Sequence, residues 1–176
     1  RNKKRDTRTK RPLGKTKRSL RQTCKDRFVS DLIYEKHLFI DRNASGSIQM
    51  PVAIGETVIT EDLEVTVLEV VRGDRAMEMA TEANRFNDEP DEGMEYVQVR
   101  MRVRNIGNSE GPFDVNGSSF NTVSDQGQIW GPPFMVEPSP ELDATLFLGG
   151  WFEGWVTLQA GIGEGNLVLI YEPSSF

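Results

Sequence analysis

Apolar and polar side chains alternate strictly along residues 96–104. The apolar set is Val97, Val99, Met101 and Val103, and the polar set is Gln98, Arg100, Arg102 and Arg104. Successive side chains of a β-strand point to opposite faces of its sheet. The pattern therefore predicts a strand with one buried face and one solvated face.

Further β patterns lie on both sides of this strand. They cover residues 57–60, 63–71, 113–123, 129–130, 146–158 and 166–171. Four prolines between Gly131 and Leu142 exclude a central strand there, so this stretch is predicted to be loop or edge. Strands of this length and spacing predict an all-β fold, an immunoglobulin-like β-sandwich of seven to nine strands.

One insertion, Gly73 to Gly93, favours a short helix instead. Its apolar residues recur at a roughly helical period, with Asp74 placed to cap the helix. The apolar positions are Ala76, Met77, Met79, Ala80, Ala83 and Phe86. We expect the helix to cross an open end of the sandwich and to bury Met77, Ala80 and Phe86 over the core.

Charge divides the chain into two parts. Residues 1–42 carry 15 Lys or Arg and 5 Asp or Glu, a formal charge of +10, whereas the remaining residues carry 6 Arg and 22 acids, a charge of −16. We therefore expect two regions: a basic N-terminal segment, residues 1–47, largely disordered or docking, and the sandwich domain, residues 48–176. Within the first, residues 28–40 are apolar enough for a docking element or an added edge strand.

These charges limit the partners. Binding of nucleic acid depends on Lys and Arg displacing counterions, so the acidic domain is not expected to bind it. The basic segment could bind polyanions, act as a solvated tail, or fold back on its acidic neighbour.

No run of residues is long and apolar enough to cross a membrane, and no signal peptide is visible. The oligomeric state is left open.

Catalytic and metal-binding residues are sparse. Cys24 and His37 are the single cysteine and histidine, and both precede the predicted domain. No enzymatic activity, cofactor or zinc site is expected from so few nucleophiles and ligands. The acidic run Asp88–Glu92 could attract calcium, but it lacks the alternating spacing of a dedicated calcium loop. A solvated acidic loop is the preferred interpretation.

Two sets of residues are candidates for ligand binding. Arg100, Arg102 and Arg104 would share one face of their strand, either receiving an acidic partner or pairing with acids of the adjacent strand. Trp151 and Trp155 share a strand parity opposite to the neighbouring apolar residues, and exposed aromatics are a usual platform for sugars or proteins. The alternative is that the tryptophans are covered by the helix or by the N-terminal segment.

The order of several segments resembles a known family. They are residues 51–58, 63–68, 93–107, 149–158 and 166–171. Together they resemble bacterial extracellular domains of the telokin-like, immunoglobulin-like family of unknown function, which is similar to the mycobacterial immunoprotective secreted antigen. The resemblance implies an immunoglobulin-like sandwich, secreted or tethered outside the cell, with no enzymatic activity.

Two functional hypotheses follow. The first is a non-enzymatic extracytoplasmic binding or cell-surface module that contacts a protein or a glycan through a sheet face. The second is a polyanion-binding protein that acts through its basic N-terminal segment, with the acidic domain as a solubilising or autoinhibitory partner.

Overall fold

Ten strands and one α-helix make up the part of the chain that the computed structural model describes, which is residues 34–35, 50–107 and 111–172. In chain order they are β1 Tyr34–Glu35, β2 Thr57–Ile59, β3 Leu63–Arg72, α1 Asp74–Ala83, β4 Met94–Asn105, β5 Phe113–Asn116, β6 Phe120–Val123, β7 Ile129–Trp130, β8 Asp143–Leu146, β9 Trp151–Gly161 and β10 Val168–Tyr171. The predicted boundary near residue 47 lies outside the described residues, as do Cys24 and His37.

Two four-stranded sheets form the layers. The main sheet has the order β2-β3-β4-β9 and is antiparallel throughout. The second sheet has the order β1-β10-β6-β7, and β5 pairs with β8 as a small separate ribbon. The predicted all-β sandwich with one helical insertion is confirmed. The described residues form ten strands, against the seven to nine predicted, and two of them, β1 and β7, have only two residues. The strand β7 coincides with the one predicted at residues 129–130.

The core lies between the two sheets. From the main sheet it takes the inward-facing residues of β3, β4 and β9, and from the second sheet Phe120, Leu169 and Tyr171. Along β4 the alternation predicted from the sequence is confirmed: Val97, Val99, Met101 and Val103 are all buried against this core. We call this side of the main sheet the inner face and the opposite side, which carries the arginines of β4, the outer face.

The helix packs on the outer face, which corrects the expectation that it would cross an open end of the sandwich. Ala76 and Ala80 are buried against Tyr96, and the ring of Phe86, expected to be buried, is 75% exposed. Asp74 does not cap the helix: it is the first helical residue, and the N-cap residue is Gly73, which has no side chain to form a capping hydrogen bond. Because α1 covers this end of the outer face, Gln98 is fully buried rather than solvated.

The proline-rich stretch, residues 131–142, is a loop, as predicted. It packs beside α1 and covers the same end of the outer face. Asn87 joins them: its side-chain amide donates to the carbonyl oxygens of Ala80 and Val136, at 2.8 and 2.9 Å, and accepts from Val136 N–H at 3.0 Å. Met135 packs against the residues beneath the helix. The outer face thus has a covered end and an open end.

Candidate functional site

All five candidate residues predicted from the sequence lie on the outer face of two neighbouring strands. In the register of β4 and β9, Arg104 is opposite Trp151 and Arg100 is opposite Trp155, with Arg102 opposite Glu153 between them. The antiparallel pairing of two alternating strands places side chains of the same parity side by side. The structure therefore joins the two candidate sets into one surface.

The arginines pair with acids of the adjacent strands. Arg102 contacts Glu153 on β9, with Nε at 2.7 Å from the carboxylate oxygen Oε1. On β3, Arg104 lies 3.3 Å from Glu64 and Arg100 lies 3.9 Å from Glu69. The interpretation that this row is paired across the sheet is confirmed. Such exposed pairs add little stability, but the three arginines and the three glutamates leave the surface nearly neutral.

Trp151 stands at the open end of this surface. Its side chain is 60% exposed, and the guanidinium of Arg102 lies 5.4 Å from the ring centroid, within the range of a cation–π contact. Beside the ring is a depression of about 400 Å³. It is lined by Thr57, Glu64, Thr66, Arg102, Arg104 and Trp151. This depression offers both hydrogen-bonding groups and an aromatic wall.

Other exposed apolar side chains lie at the same end of the main sheet as Trp151. In the register of the main sheet, Ile59, Glu64, Arg104 and Trp151 form one row across the four strands, and Ile59 is 68% exposed. Phe147 and Leu148 are also exposed.

The turn that carries Phe147 and Leu148 is anchored to Asn105. The side-chain amide of Asn105 donates to Leu146 O at 2.8 Å, and its backbone bonds Gly149 and Gly150 at 2.8 and 2.9 Å. The exposed apolar groups therefore stand on a fixed turn.

Trp155 belongs to a different environment. Its backbone carbonyl accepts from Leu142 N–H and its own N–H donates to Pro140 O, both at 2.8 Å, so the 131–142 loop is attached to β9 at this residue. The partly buried ring lines a second cavity of about 350 Å³. Besides Trp155, this cavity is lined by Asn116, Gly117, Ser118, Pro132, Pro133, Glu137, Glu141, Leu142 and Asp143. On the shared outer face, the two tryptophans therefore line two different depressions.

Glu137 is the polar residue of this cavity that sequence reasoning missed. Its Oε2 accepts from Thr157 N–H at 2.6 Å and contacts the Thr157 hydroxyl. Burial raises the pKa of the Glu137 carboxyl to about 7; the hydrogen bonds from Thr157 oppose this shift, and the nearby Glu141 adds to it. No sequence signal marks Glu137, because its burial depends on how the proline-rich loop docks.

Metal ligands do not converge within residues 50–107 and 111–172. No group of three or more His, Cys, Asp or Glu side chains is placed there to hold an ion. The interpretation of Asp88–Glu92 as a solvated loop stays a prediction. Among the described helices and strands, no helix is both long and apolar enough for a transmembrane span.

One solved structure with a similar fold is a lipoprotein. A putative lipoprotein (ycdA) from Bacillus subtilis aligns with a TM-score of 0.52 at 16% identity, over 68% of this chain and 34% of that one. The chain thus spans about a third of that lipoprotein's length. At so low an identity the match establishes the fold alone.

Two further structures align more loosely. The secreted protein MPT63 from Mycobacterium tuberculosis aligns with a TM-score of 0.42 at 15% identity, over 68% of this chain and 94% of that one. An uncharacterised β-sandwich protein from Clostridium difficile 630 aligns with a TM-score of 0.39 at 11% identity, over 68% of this chain and 91% of that one.

The family is established by the sequence itself. No functionally curated protein matches the chain. A family model described as a domain of unknown function, DUF4352, matches residues 52–176, which is more than half of the chain. The resemblance noted in the sequence is confirmed, and the chain belongs to the DUF4352 family.

Proposed function

We propose that the sandwich domain is a non-enzymatic extracytoplasmic binding module whose partner, a protein or a glycan, contacts the open end of the outer face around Trp151. The observation that supports this proposal most directly is the exposed indole, which stands beside a depression lined by the paired arginines of β4. The likeness to secreted and lipoprotein sandwiches supports the compartment.

The polar groups of this surface are already paired with one another. Arg102 and Arg104 form ion pairs, and the hydroxyls of Thr57 and Thr66 bond each other at 2.7 Å. These contacts favour the paired conformations, so a partner that binds the side chains in those conformations loses less binding free energy to their entropy. Tryptophan and arginine are also the residues most enriched at the energetic centres of interfaces.

Replacing Trp151 with alanine is expected to weaken binding at least tenfold, because the indole would supply the central buried area of the interface. The partner would be identified by glycan array and by protein pull-down with the full chain, and its Kd then measured by calorimetry. Ile162→Ala is the matched control: Ile162 is 70% exposed but follows the other end of β9. Equal affinities for the two variants would contradict the proposed surface.

The second candidate function rests on the charge division. The positive charge of residues 1–42 could bind polyanions while the acidic domain keeps the protein soluble. The full chain is then expected to bind a heparin column at low salt and to elute as salt rises, and a chain that lacks residues 1–42 is expected to flow through. Retention that survives the deletion would dismiss this candidate, because the remaining chain carries a formal charge of −16.

A further inference from the structure

A chain of hydrogen bonds crosses the covered end of the outer face, beneath the 131–142 loop. Glu137 contacts the N–H and the hydroxyl of Thr157. The Thr157 hydroxyl lies 2.9 Å from Oε1 of Gln98, and Nε2 of Gln98 lies 3.4 Å from the carbonyl oxygen of Ala76 in α1. Gln98 and Thr157 are fully buried. We call these four residues the Glu137 relay.

The carbonyl oxygen of Ala76 in α1 determines the direction of the hydrogen bond that it forms with Gln98. The Ala76 carbonyl can only accept, so Gln98 turns its NH₂ group toward Ala76 and its Oε1 toward Thr157. Thr157 has a single hydroxyl proton, so it can donate to Oε1 of Gln98 or to Glu137, but not to both at once. When Thr157 donates to Gln98, its oxygen offers a lone pair to Glu137, and a carboxyl that keeps its proton can donate to it.

An ionised Glu137 breaks this arrangement. A carboxylate has no proton to donate, and its oxygen would face a lone pair of the Thr157 hydroxyl at contact distance. Thr157 would therefore have to turn its hydroxyl proton from Gln98 to Glu137. The fully buried Oε1 of Gln98 would then have no donor, and an unsatisfied buried polar atom is costly. With Glu137 ionised, its carboxylate keeps the N–H of Thr157 as a donor, but the single hydroxyl proton of Thr157 cannot serve both the carboxylate and Oε1 of Gln98.

The charges around Glu137 do not compensate an anion there. Glu141 and Asp143 line the same cavity and are themselves acidic. Arg100, the charged residue next to Gln98 on this face of β4, is paired with Glu69. On β9 the nearest outer-face residues are uncharged, and so are Asn116, Gly117 and Ser118 across the cavity. The ionisable side chains of α1, which are Asp74, Arg75, Glu78 and Glu82, are exposed to solvent.

We propose that Glu137 is a protonation-dependent latch: its protonated carboxyl holds the 131–142 loop against the covered end of the outer face, and loss of the proton releases that part of the loop. The raised pKa of Glu137, caused mainly by its burial, supports a transition near neutral pH. In the released state the loop keeps its Asn87 and β9 attachments, but Glu137 no longer covers Thr157.

The sign of the pH dependence follows from the two pKa values. The carboxyl titrates near 7 in the closed state and near 4.5 when released, so the closed state is favoured at low pH and is progressively lost as pH rises from about 4.5 to 7. These values predict that the equilibrium constant for opening rises about 30-fold between pH 5.5 and pH 8.5.

The N–H of Thr157 is a direct reporter, because it donates to Glu137 rather than to a strand. Hydrogen exchange of this amide in the full chain, corrected for the intrinsic effect of pH, is expected to speed up about 30-fold over that range. A side-chain NMR titration is expected to place the Glu137 carboxyl near pH 7. Exchange that does not depend on pH, or a carboxyl that titrates near 4.5, would overturn the latch.

Two variants separate a latch from a merely structural contact. Glu137→Gln cannot ionise, so its Thr157 amide is expected to exchange at a rate that no longer changes with pH after correction. Glu141→Gln removes a neighbouring negative charge and is expected to keep the transition but to move it to lower pH. A Glu137→Gln variant with the wild-type pH dependence would refute the assignment, and if that variant does not fold, the wild-type titration decides.

Discussion

Truncating Met101 to alanine is expected to lower the free energy of unfolding by about 3 kcal/mol. Met101 is fully buried on the inner face of β4, where it contributes to the core between the two sheets. Removing its thioether chain loses the transfer free energy of those atoms and leaves a cavity that the close-packed sandwich can fill only in part. Denaturant unfolding monitored by circular dichroism measures the change.

Arg102→Ala, one residue along the same strand, is the matched control. The Arg102 side chain is 53% exposed and its pair with Glu153 is at the surface, so its loss is expected to cost less than about 1 kcal/mol. Comparable losses for the two variants would contradict the assignment of the inner and outer faces, on which the core and the binding surface both depend.

The open half of β4 could be predicted from the sequence because two independent signals agree there. Period-two alternation places its valines and Met101 inside, and the charge of the arginines requires water or an acidic partner outside. The same parity argument on β9 placed Trp151 and Trp155 together. Pairing of β4 with β9, which no local pattern states, is what joined these residues into one surface.

The burial of the covered half of β4 could not be predicted from the alternation of its residues. Gln98 continues the polar alternation, yet it is fully buried, because α1 and the 131–142 loop pack on that side of the sheet. Where the helix would dock depends on tertiary contacts, chiefly of Ala76 and Ala80 with Tyr96. The period of its apolar residues predicts an apolar stripe but not the surface that the stripe meets.

Glu137 illustrates the same limit of sequence-based prediction, here for a single residue of a candidate site. In the sequence it is one of 27 acidic residues, set among prolines that predict only a loop. Its raised pKa arises from burial, and its hydrogen bonds come from Thr157, which is twenty residues away along the chain. A property that depends on how a loop packs cannot be assigned before the loop is placed.

Gly154→Ala is expected to destabilise the domain by about 2 to 3 kcal/mol and to disturb the second cavity. A Cβ atom at this position would lie 2.6 Å from both N and Cα of Leu142, which are backbone atoms that cannot rotate away. The loop would have to move from β9, and its two backbone hydrogen bonds with Trp155 would lengthen or break. Trp155 fluorescence and denaturant unfolding together measure both effects.

Gly165→Ala separates this steric effect from the general consequence of replacing a glycine. Gly165 has no positive φ, and a Cβ atom there would meet nothing within 4 Å, so the change is expected to stay within about 0.5 kcal/mol. If Gly154→Ala were equally mild, the backbone of Leu142 would not be held against β9 in solution. The cavity at Trp155 would then be formed by a movable loop rather than by a fixed one, and the contacts of Glu137 with Thr157 would not persist at any pH.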